Sequence, residues 1–427
     1  MSKFYTNVSR HMNNILVRGI KDGKPFKETV RYKPYLFVPS NKASEYHTLD
    51  GRPVGKVSFD SMSEGRKWAQ ENDSVANRQI YGLTDWQYLY IYDTQPGQIK
   101  YDPSQISLVS IDIECAISGG FPDVEKALNE ITAITIGRNG YKTAFACGEY
   151  TPHQDNIKYY KCKDEAALLD SFLEVWNGSL HSADVLTGWN IEYFDLPYLV
   201  NRIKNVLGEG HAERLSPWGI LRERDLEIRG RKVTVYDPVG IAILDYIALY
   251  KKFTYTTQES YKLDYIAKIE LGISKLDYSE YSNLDDLRFN DFQKYITYNI
   301  HDVELVEQLE DKLKLIELVY ALAYDAKINY TDCLASVKQW DIITHNYLMD
   351  RSIVIPQNNR NKDLRPFVGG YVKDPKIGAS KWVVSFDLNS LYPHLIMQYS
   401  ISPETLVPID IFKDRIRALE ASMNTDI

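Results

Sequence analysis

The sequence predicts a mixed α/β protein of the α+β multi-domain kind, with a β-rich N-terminal domain. Three observations lead to this prediction. The chain has 427 residues, more than a single hydrophobic core usually supports. Residues 1–105 are rich in strand-forming and turn residues, and from Ile106 onward strand-like and helix-like segments alternate.

The N-terminal region contains two strand candidates on either side of a helix. Tyr32–Pro39 is an apolar run bounded by prolines, and Gln87–Tyr92 alternates tyrosine with other residues, so both are expected to be strands. A helix is expected near Ser63–Asn72. The polar segment Asp93–Gln105 contains two prolines and a glycine, which is typical of a linker.

The region after Ile106 is expected to form a sheet covered by helices. Strands are predicted at Ser107–Cys115, Glu130–Gly137 and Val185–Asn190, with a hairpin arm at Lys232–Tyr236. The apolar spacing of Asp164–Trp176 predicts an amphipathic helix. A second helix is predicted over Asp195–Val206, with Asp195 as its N-cap.

The last third of the chain is predicted to begin with helices. Asp291–Val319 is expected to be a long helical region broken once, and helix is expected to continue to about Met349. A polar loop follows at Gln357–Asp363, and Lys381–Leu388 is expected to be a further strand.

Composition limits the class of protein. The chain is 44% apolar and 25% charged, which is typical of a soluble globular protein, and its four cysteines form no C-x-x-C pair. No stretch approaches about 18 uninterrupted apolar residues, so no membrane partner is expected. The net charge of −8 argues only weakly against a nucleic-acid partner, because phosphate contacts depend on local patches.

Two carboxylates in the predicted strand Ser107–Cys115 indicate a metal site. Asp112 and Glu114 are two residues apart, so both project from one face of the strand, whereas Ile111 and Ile113 face the other way. Adjacent like charges on a mostly buried strand are costly unless a cation lies between them. A solvated strand edge is the alternative interpretation.

Two further segments supply matching groups. Asn190 and Asp195 lie where a strand passes into a helix, and Tyr298 and Asp302 are four residues apart on one helix face. Four carboxylates suit two hard cations, Mg²⁺ or Mn²⁺, which can activate water for phosphodiester cleavage. In this interpretation Tyr298 orients the water. Taken alone, a tyrosine and an aspartate at this spacing on a helix are usually an ordinary surface pair.

In this order the three segments resemble the Exo I, Exo II and Exo III motifs of DEDDy-type 3′→5′ proofreading exonucleases. The resemblance implies an RNase H-like domain in which Asp112, Glu114, Asp195 and Asp302 bind two Mg²⁺ or Mn²⁺ ions. It also implies that Tyr298 is catalytic. Asn190 and Phe194 are expected to contact a single-stranded DNA 3′ end, Phe194 by stacking on a base.

The segment Val384–Pro393 resembles motif A of family B DNA polymerases. The resemblance implies that Asp387 binds metal and that Asp387, Leu388, Leu391 and Tyr392 contact the incoming nucleotide. The nearby Gly369, Gly370 and Tyr371 resemble the short segment that contacts template DNA in that family. A strand with a buried tyrosine and a plain glycine turn are the alternatives.

The chain from Phe4 to about Leu406 resembles the N-terminal portion of a family B polymerase of the T-even bacteriophage type. The implied domains are an N-terminal domain (1–105, with a returning helical segment at about 316–355), the exonuclease domain (106–315) and a partial palm (356–427). The implied partners are primer–template DNA and a sliding clamp, in the cytoplasm of an infected bacterial cell.

The family's motifs B and C do not occur in the sequence. We therefore expect DNA synthesis to need a second polypeptide that carries the fingers, the remaining palm and the thumb. A fragment of a longer chain remains an alternative. Two other functions also stay open: a catalytically silent nucleic-acid-binding scaffold and a stand-alone DEDDy exonuclease.

Overall fold

The computed structural model describes residues 3–73, 79–117, 120, 122–178, 183–228, 230–357, 369–402, 405, 407, 411 and 413–417. The chain divides into two compact units, Met1–Arg360 and Asn361–Ile427. Most of the predicted polar loop at Gln357–Asp363 lies outside the described residues.

The first unit begins with two small sheets. An antiparallel sheet has the order β1-β2-β3, and a second has the order β15-β5-β6-β4. Six of their strands are consecutive in the chain: β1 (Lys3–His11), β2 (Asn14–Lys21), β3 (Lys24–Arg31), β4 (Tyr35–Pro39), β5 (Tyr46–Thr48) and β6 (Pro53–Ser58). The seventh, β15 (Ile353–Val354), is the last strand that the structure describes. The β-rich character predicted for this region is present, and β4 falls within the predicted strand.

Two helices follow, and one of them corrects a prediction. Helix α1 (Met62–Asp73) covers the predicted helix, but the expected strand Gln87–Tyr92 is instead part of helix α2 (Trp86–Thr94). Trp86, Tyr88 and Leu89 are all buried, so the core surrounds this segment on several sides. Short runs of this kind do not distinguish a buried helix from a strand, and here tertiary packing overrides the strand preference of tyrosine.

A six-stranded sheet forms the centre of the first unit. Its order is β10-β9-β8-β7-β11-β14; β8 is antiparallel to β7 and β9, and β11 is parallel to both β7 and β14. The strands are β7 (Leu108–Cys115), β8 (Ile131–Arg138), β9 (Tyr141–Ala146), β10 (Ile157–Lys161), β11 (Val185–Gly188) and β14 (Ala242–Asp245). The predicted hairpin arm is confirmed, since β12 (Leu221–Ile228) pairs antiparallel with β13 (Arg231–Pro238).

Helices cover both faces of this sheet. Helices α3 (Glu165–Asn177) and α4 (Asp195–Leu207) pack on the face that carries Ile111 and Ile113. The other face meets α7 (Leu284–Asn290) and α8 (Phe292–Leu313). Between them in sequence lie α5 (Tyr246–Phe253) and α6 (Leu263–Leu271).

The predicted helical region Asp291–Val319 is broken once, as expected. Lys314 adopts a left-handed conformation between α8 and α9 (Leu315–Ala326). Apolar residues of α9 and α10 (Ser336–Met349) share a core with residues of the two N-terminal sheets. Short 3₁₀ helices occur at Pro103–Gln105, Glu209–Leu215 and Tyr330–Leu334.

The second unit contains helix α11 (Leu391–Gln398). The strand predicted at Lys381–Leu388 is wrong, since this segment has irregular backbone in the structure. A strand depends on hydrogen bonds to a partner strand, and no described residue pairs with this segment. Within the described part of the chain, no helix is long and apolar enough to cross a membrane.

Candidate active site

Strand β7 presents two carboxylates on one face, as its sequence predicts. Val109, Ile111 and Ile113 are buried in the core against α3 and α4. Asp112 and Glu114 alternate with them and therefore project toward the opposite face of the sheet, where α8 packs. Both carboxylates lie in the part of β7 that pairs with β8, whereas β11 pairs with β7 only over its first three residues, 108–110.

Helix α8 supplies the groups opposite β7. Tyr298 and Asp302 lie one turn apart on its buried side, and both side chains are almost fully buried. Between them, Asn299 donates a hydrogen bond from Nδ2 to Oδ2 of Asp112 over 2.7 Å. The Asn299 side chain in turn accepts a hydrogen bond from the hydroxyl of Thr135 on β8. This neutral bridge sets the distance between α8 and the carboxylates of β7.

Three carboxylates come together between β7 and α8. One oxygen each of Asp112, Glu114 and Asp302 lies within 4.8 Å of the others. Oδ1 of Asp302 is buried and has no hydrogen-bond partner among the described residues. A buried acceptor without a donor is unusual, and the Asp302 carboxylate lies in a cluster with two others. The donor set therefore fits a hard cation such as Mg²⁺ or Mn²⁺.

Asp195 lies beside this cluster. It is 4% exposed and is the first residue of α4, while Phe194 occupies the N-cap position, so the N-cap role predicted for Asp195 is wrong. Its Oδ1 instead accepts a hydrogen bond from the backbone N–H of Ile113 over 3.1 Å. This contact holds Asp195 against β7 at Ile113, the residue between Asp112 and Glu114.

Lys275, in the loop after α6, also contacts the site, although its sequence context did not predict this. Its ammonium forms an ion pair with Oδ2 of Asp302 and donates a hydrogen bond to the Tyr298 hydroxyl over 3.1 Å. Tyr278 packs edge-on against the Tyr298 ring, with centroids 5.4 Å apart. A lysine in a polar loop carries no periodic signal, so only the fold reveals this contact.

The electrostatics of the cluster favour a bound cation. Burial, followed by the neighbouring Asp302, Asp195 and Glu114 carboxylates, raises the pKa of Asp112 well above its usual range. Burial and Asp302 raise the pKa of Glu114 to about 8, and burial raises the pKa of Asp195 to about 7. Each shift reflects first the cost of burying a charged carboxylate and then the repulsion from nearby acids, and a bound cation offsets both costs.

The turn that leads to Asp195 is fixed by a second missed residue, Asp245. Asn190 adopts a left-handed backbone with φ of 70°, and its N–H donates to Oδ1 of Asp245 over 3.0 Å. The N–H of Glu192 donates to Oδ2 of the same carboxylate over 3.0 Å. A lone acid at the end of a short apolar strand gave no signal in the sequence.

The two predicted DNA-contacting residues of this turn are accessible in different degrees. Asn190 is exposed. Phe194 is half-buried and stacks on Tyr198, with ring centroids 5.7 Å apart. Both lie in the turn between β11 and α4, within five residues of Asp195.

The predicted residues of the polymerase segment all lie in the second unit. Gly369, Gly370 and Tyr371 have irregular backbone and are exposed, as are Asp387 and Leu388. Leu391 and Tyr392 form the start of α11 and are 42% and 75% exposed.

A carboxylate pair on a central strand, faced by a tyrosine and an aspartate on a helix, is the arrangement expected of a polymerase-associated exonuclease domain. Residues 64–266 match the family model described as DNA polymerase family B, exonuclease domain. Residues 327–424 match the model described as DNA polymerase family B. The chain therefore belongs to DNA polymerase family B, as its motifs indicated. The exonuclease match includes Asp112, Glu114 and Asp195, and α8 lies beyond its end.

Within this family the chain is similar to bacteriophage polymerases. It is 36% identical to the DNA-directed DNA polymerase of Escherichia phage RB69 and 33% identical to that of Enterobacteria phage T4, in each case over 95% of this chain and 48% of the relative. It is 26% identical to DNA polymerase 1 of Saccharolobus solfataricus, over 87% of this chain and 41% of the relative. The chain thus spans about half the length of these relatives.

Proposed function

We propose that the first unit contains a 3′→5′ exonuclease domain that removes nucleotides from a single-stranded DNA end, within a replicative family B DNA polymerase. The observation that carries this proposal is the convergence of Asp112, Glu114 and Asp302. One buried oxygen of Asp302 has no hydrogen-bond partner in the part of the chain that the structure describes, and Tyr298 lies one turn away. Membership of the polymerase family supports it.

Asp112, Glu114, Asp195 and Asp302 are the residues that would hold the metal, which we propose to be two Mg²⁺ or Mn²⁺ ions. When bound, such ions activate water and neutralise charge on the cleaved phosphodiester. Three of these carboxylates already share one cluster, and Asp195 is attached to the backbone of β7 between two of them.

Tyr298 has the role of orienting the attacking water. Because Lys275 donates a hydrogen bond to its hydroxyl oxygen, the hydroxyl hydrogen remains available to a water molecule or a phosphate oxygen. Burial raises the pKa of Tyr298, so the residue acts as a neutral donor and not as a base. Asn299 keeps Asp112 in place through its 2.7 Å hydrogen bond.

The DNA contacts follow from the same assignment. Asn190 and Phe194 are proposed to meet the single-stranded 3′ end, and their place in the turn before Asp195 supports this role. Gly369, Gly370 and Tyr371 are proposed to contact template DNA. The residues proposed to contact the incoming nucleotide are Asp387, which also binds metal, Leu388, Leu391 and Tyr392.

DNA synthesis is proposed to need protein regions that lie outside this sequence, because motifs B and C do not occur in it. These regions belong to a second polypeptide or to the remainder of a longer chain. The proposed partners are primer–template DNA and a sliding clamp, in the cytoplasm of an infected bacterium. The proposed domains are 1–105 with about 316–355, 106–315, and 356–427.

The test is degradation of single-stranded DNA labelled at its 5′ end, with Mg²⁺ or with EDTA. A ladder of stepwise shortened products that requires Mg²⁺ is expected from the wild type. The double variant Asp112→Ala/Glu114→Ala should leave the DNA intact. Glu259→Gln, a change at an exposed site, is the matched control and should behave as the wild type. Intact DNA with folded wild-type protein would refute an autonomous exonuclease and favour a binding scaffold.

A further inference from the structure

Asp245 is a buried acid without a part in the mechanism proposed above. It is 1% exposed and ends the edge strand β14, which β11 separates from β7, the strand that carries Asp112 and Glu114. The register places Asp245 level with Gly188 of β11, and Thr187 level with Ser110 of β7. The carboxyl ends of three parallel strands therefore meet beside the acidic cluster.

Both oxygens of Asp245 are used, and they connect two segments. Oδ1 accepts the N–H of Asn190 over 3.0 Å and the N–H of Ile247 over 3.1 Å, while Oδ2 accepts the N–H of Glu192 over 3.0 Å. The contact with Ile247 caps α5, and the other two hold the turn between β11 and α4. A carboxylate can do this because both of its oxygens are acceptors, whereas an amide offers only one.

The turn needs such an anchor. Asn190 lies at φ of 70°, a region that residues other than glycine enter at a cost. Only four residues separate Asn190 from Asp195, whose carboxylate must reach the N–H of Ile113. A change in the turn would therefore move the start of α4 and, with it, the Asp195 carboxylate.

We propose that Asp245 is a positioning residue of the exonuclease site, which holds the β11–α4 turn so that Asp195 reaches the metal cluster. This inference rests on the proposed function. Asp245 itself binds no metal in this scheme, and its effect on metal affinity is distinct from its contribution to folding.

Asp184 provides a matched control at the other end of β11. It is also buried, at 4% exposure, and its carboxylate also accepts hydrogen bonds, from the Ser107 N–H over 3.0 Å and the Thr6 hydroxyl over 2.6 Å. It differs in location, because it precedes β11 and pairs with Arg18 at 3.5 Å. An Asp184→Asn change should affect folding without displacing Asp195.

The experiment compares Asp245→Asn and Asp184→Asn with the wild type. Mn²⁺ binding is followed by the rise in melting temperature with Mn²⁺ concentration and by the loss of the free Mn²⁺ signal in electron paramagnetic resonance. Both variants should melt earlier than the wild type in EDTA. Only Asp245→Asn should need more Mn²⁺ for half-maximal binding, by about tenfold, as is typical when a residue that orients a ligand is lost.

A second variant, Asp245→Ser, separates the two contacts of the carboxylate. Serine is a good N-cap, so it should preserve the start of α5 and most of the stability, but its short side chain cannot hold the turn. The same loss of Mn²⁺ affinity is therefore expected from a more stable protein.

Unchanged Mn²⁺ affinity in both Asp245 variants, or an equal loss in Asp184→Asn, would overturn this inference while leaving the proposed exonuclease intact. A wild type that binds no Mn²⁺ would instead overturn the proposed metal site, and the positioning role with it.

Discussion

The metal-free acidic cluster should destabilise the protein at neutral and alkaline pH, and Glu114→Gln should relieve this effect. Burial and the neighbouring Asp302 carboxylate raise the pKa of Glu114 from 4.5 to about 8. An acid whose pKa is raised by folding stabilises the folded state below its unfolded pKa and loses that contribution as the pH rises through the folded pKa. The stability of the metal-free wild type should therefore fall between about pH 4.5 and 8.

The magnitude follows from the same values. At about 1.4 kcal/mol per pH unit, ionised Glu114 costs at most about 5 kcal/mol of folding free energy at pH 8. Structural relaxation and water penetration reduce such penalties, so we expect glutamine to stabilise the metal-free protein by about 2 kcal/mol at pH 8. For a cooperative unit of this size, that corresponds to a rise in melting temperature of about 2–3 °C.

The assay is differential scanning fluorimetry in EDTA from pH 5 to pH 8.5, with Glu259→Gln as the exposed control. The melting temperatures of Glu114→Gln and the wild type should coincide near pH 5 and separate as the pH rises. Added Mg²⁺ should stabilise the wild type more than the variant, because the variant has lost one of the proposed metal ligands. A Glu114→Gln protein that is no more stable than the wild type at pH 8 in EDTA would refute the reasoning.

Three further predictions test other parts of the structure. Tyr298→Phe should lower the exonuclease kcat about 100-fold with little change in DNA affinity, measured by single-turnover kinetics; unaltered kcat would exclude a role for the hydroxyl. Gly188→Ala should lower the free energy of unfolding, measured by urea titration, by about 3 kcal/mol, because the new Cβ would lie 2.5 Å from the Ile111 carbonyl oxygen. The control Gly210→Ala places its Cβ in open space and should leave this free energy unchanged. Burial lowers the pKa of His345 below 6.5. As the pH drops, this histidine is therefore protonated more readily in the unfolded chain than in the folded one, and the stability of the protein falls below pH 6.5. His345→Gln should flatten this dependence in melting curves between pH 6.5 and 5, and an unchanged slope would show that another group titrates.

The parts of the site that could be predicted are those set by local periodicity. The two-residue period of β7 places Asp112 with Glu114, and the helical period of α8 places Tyr298 with Asp302. One break was also expected within Asp291–Val319, and the structure places it at Lys314. Each of these features depends on residues close together in sequence.

The parts that could not be predicted depend on packing between distant segments. Lys275 reaches Asp302 from a loop 27 residues earlier in the chain, and Asp245 anchors a turn that precedes it by more than 50 residues. Helix α2 shows the same limit for secondary structure, since its tyrosine-rich sequence suits a strand until the surrounding core is known. Periodicity carries no information about such partners.

The contacts around the acidic cluster indicate how its geometry is kept without neutralising its charge. The groups that hold Asp112 and Asp195 are neutral donors, the Asn299 amide and the Ile113 N–H, which fix position but leave most of the negative charge uncompensated. Lys275 offsets one charge only, through Oδ2 of Asp302, while Oδ1 stays buried without a partner among the described residues. An unpaired buried acceptor costs about 1–3 kcal/mol, and a second lysine or an amide at this point would remove the cost. Either replacement would also occupy the position that a cation needs, so the arrangement retains affinity for metal at the expense of metal-free stability.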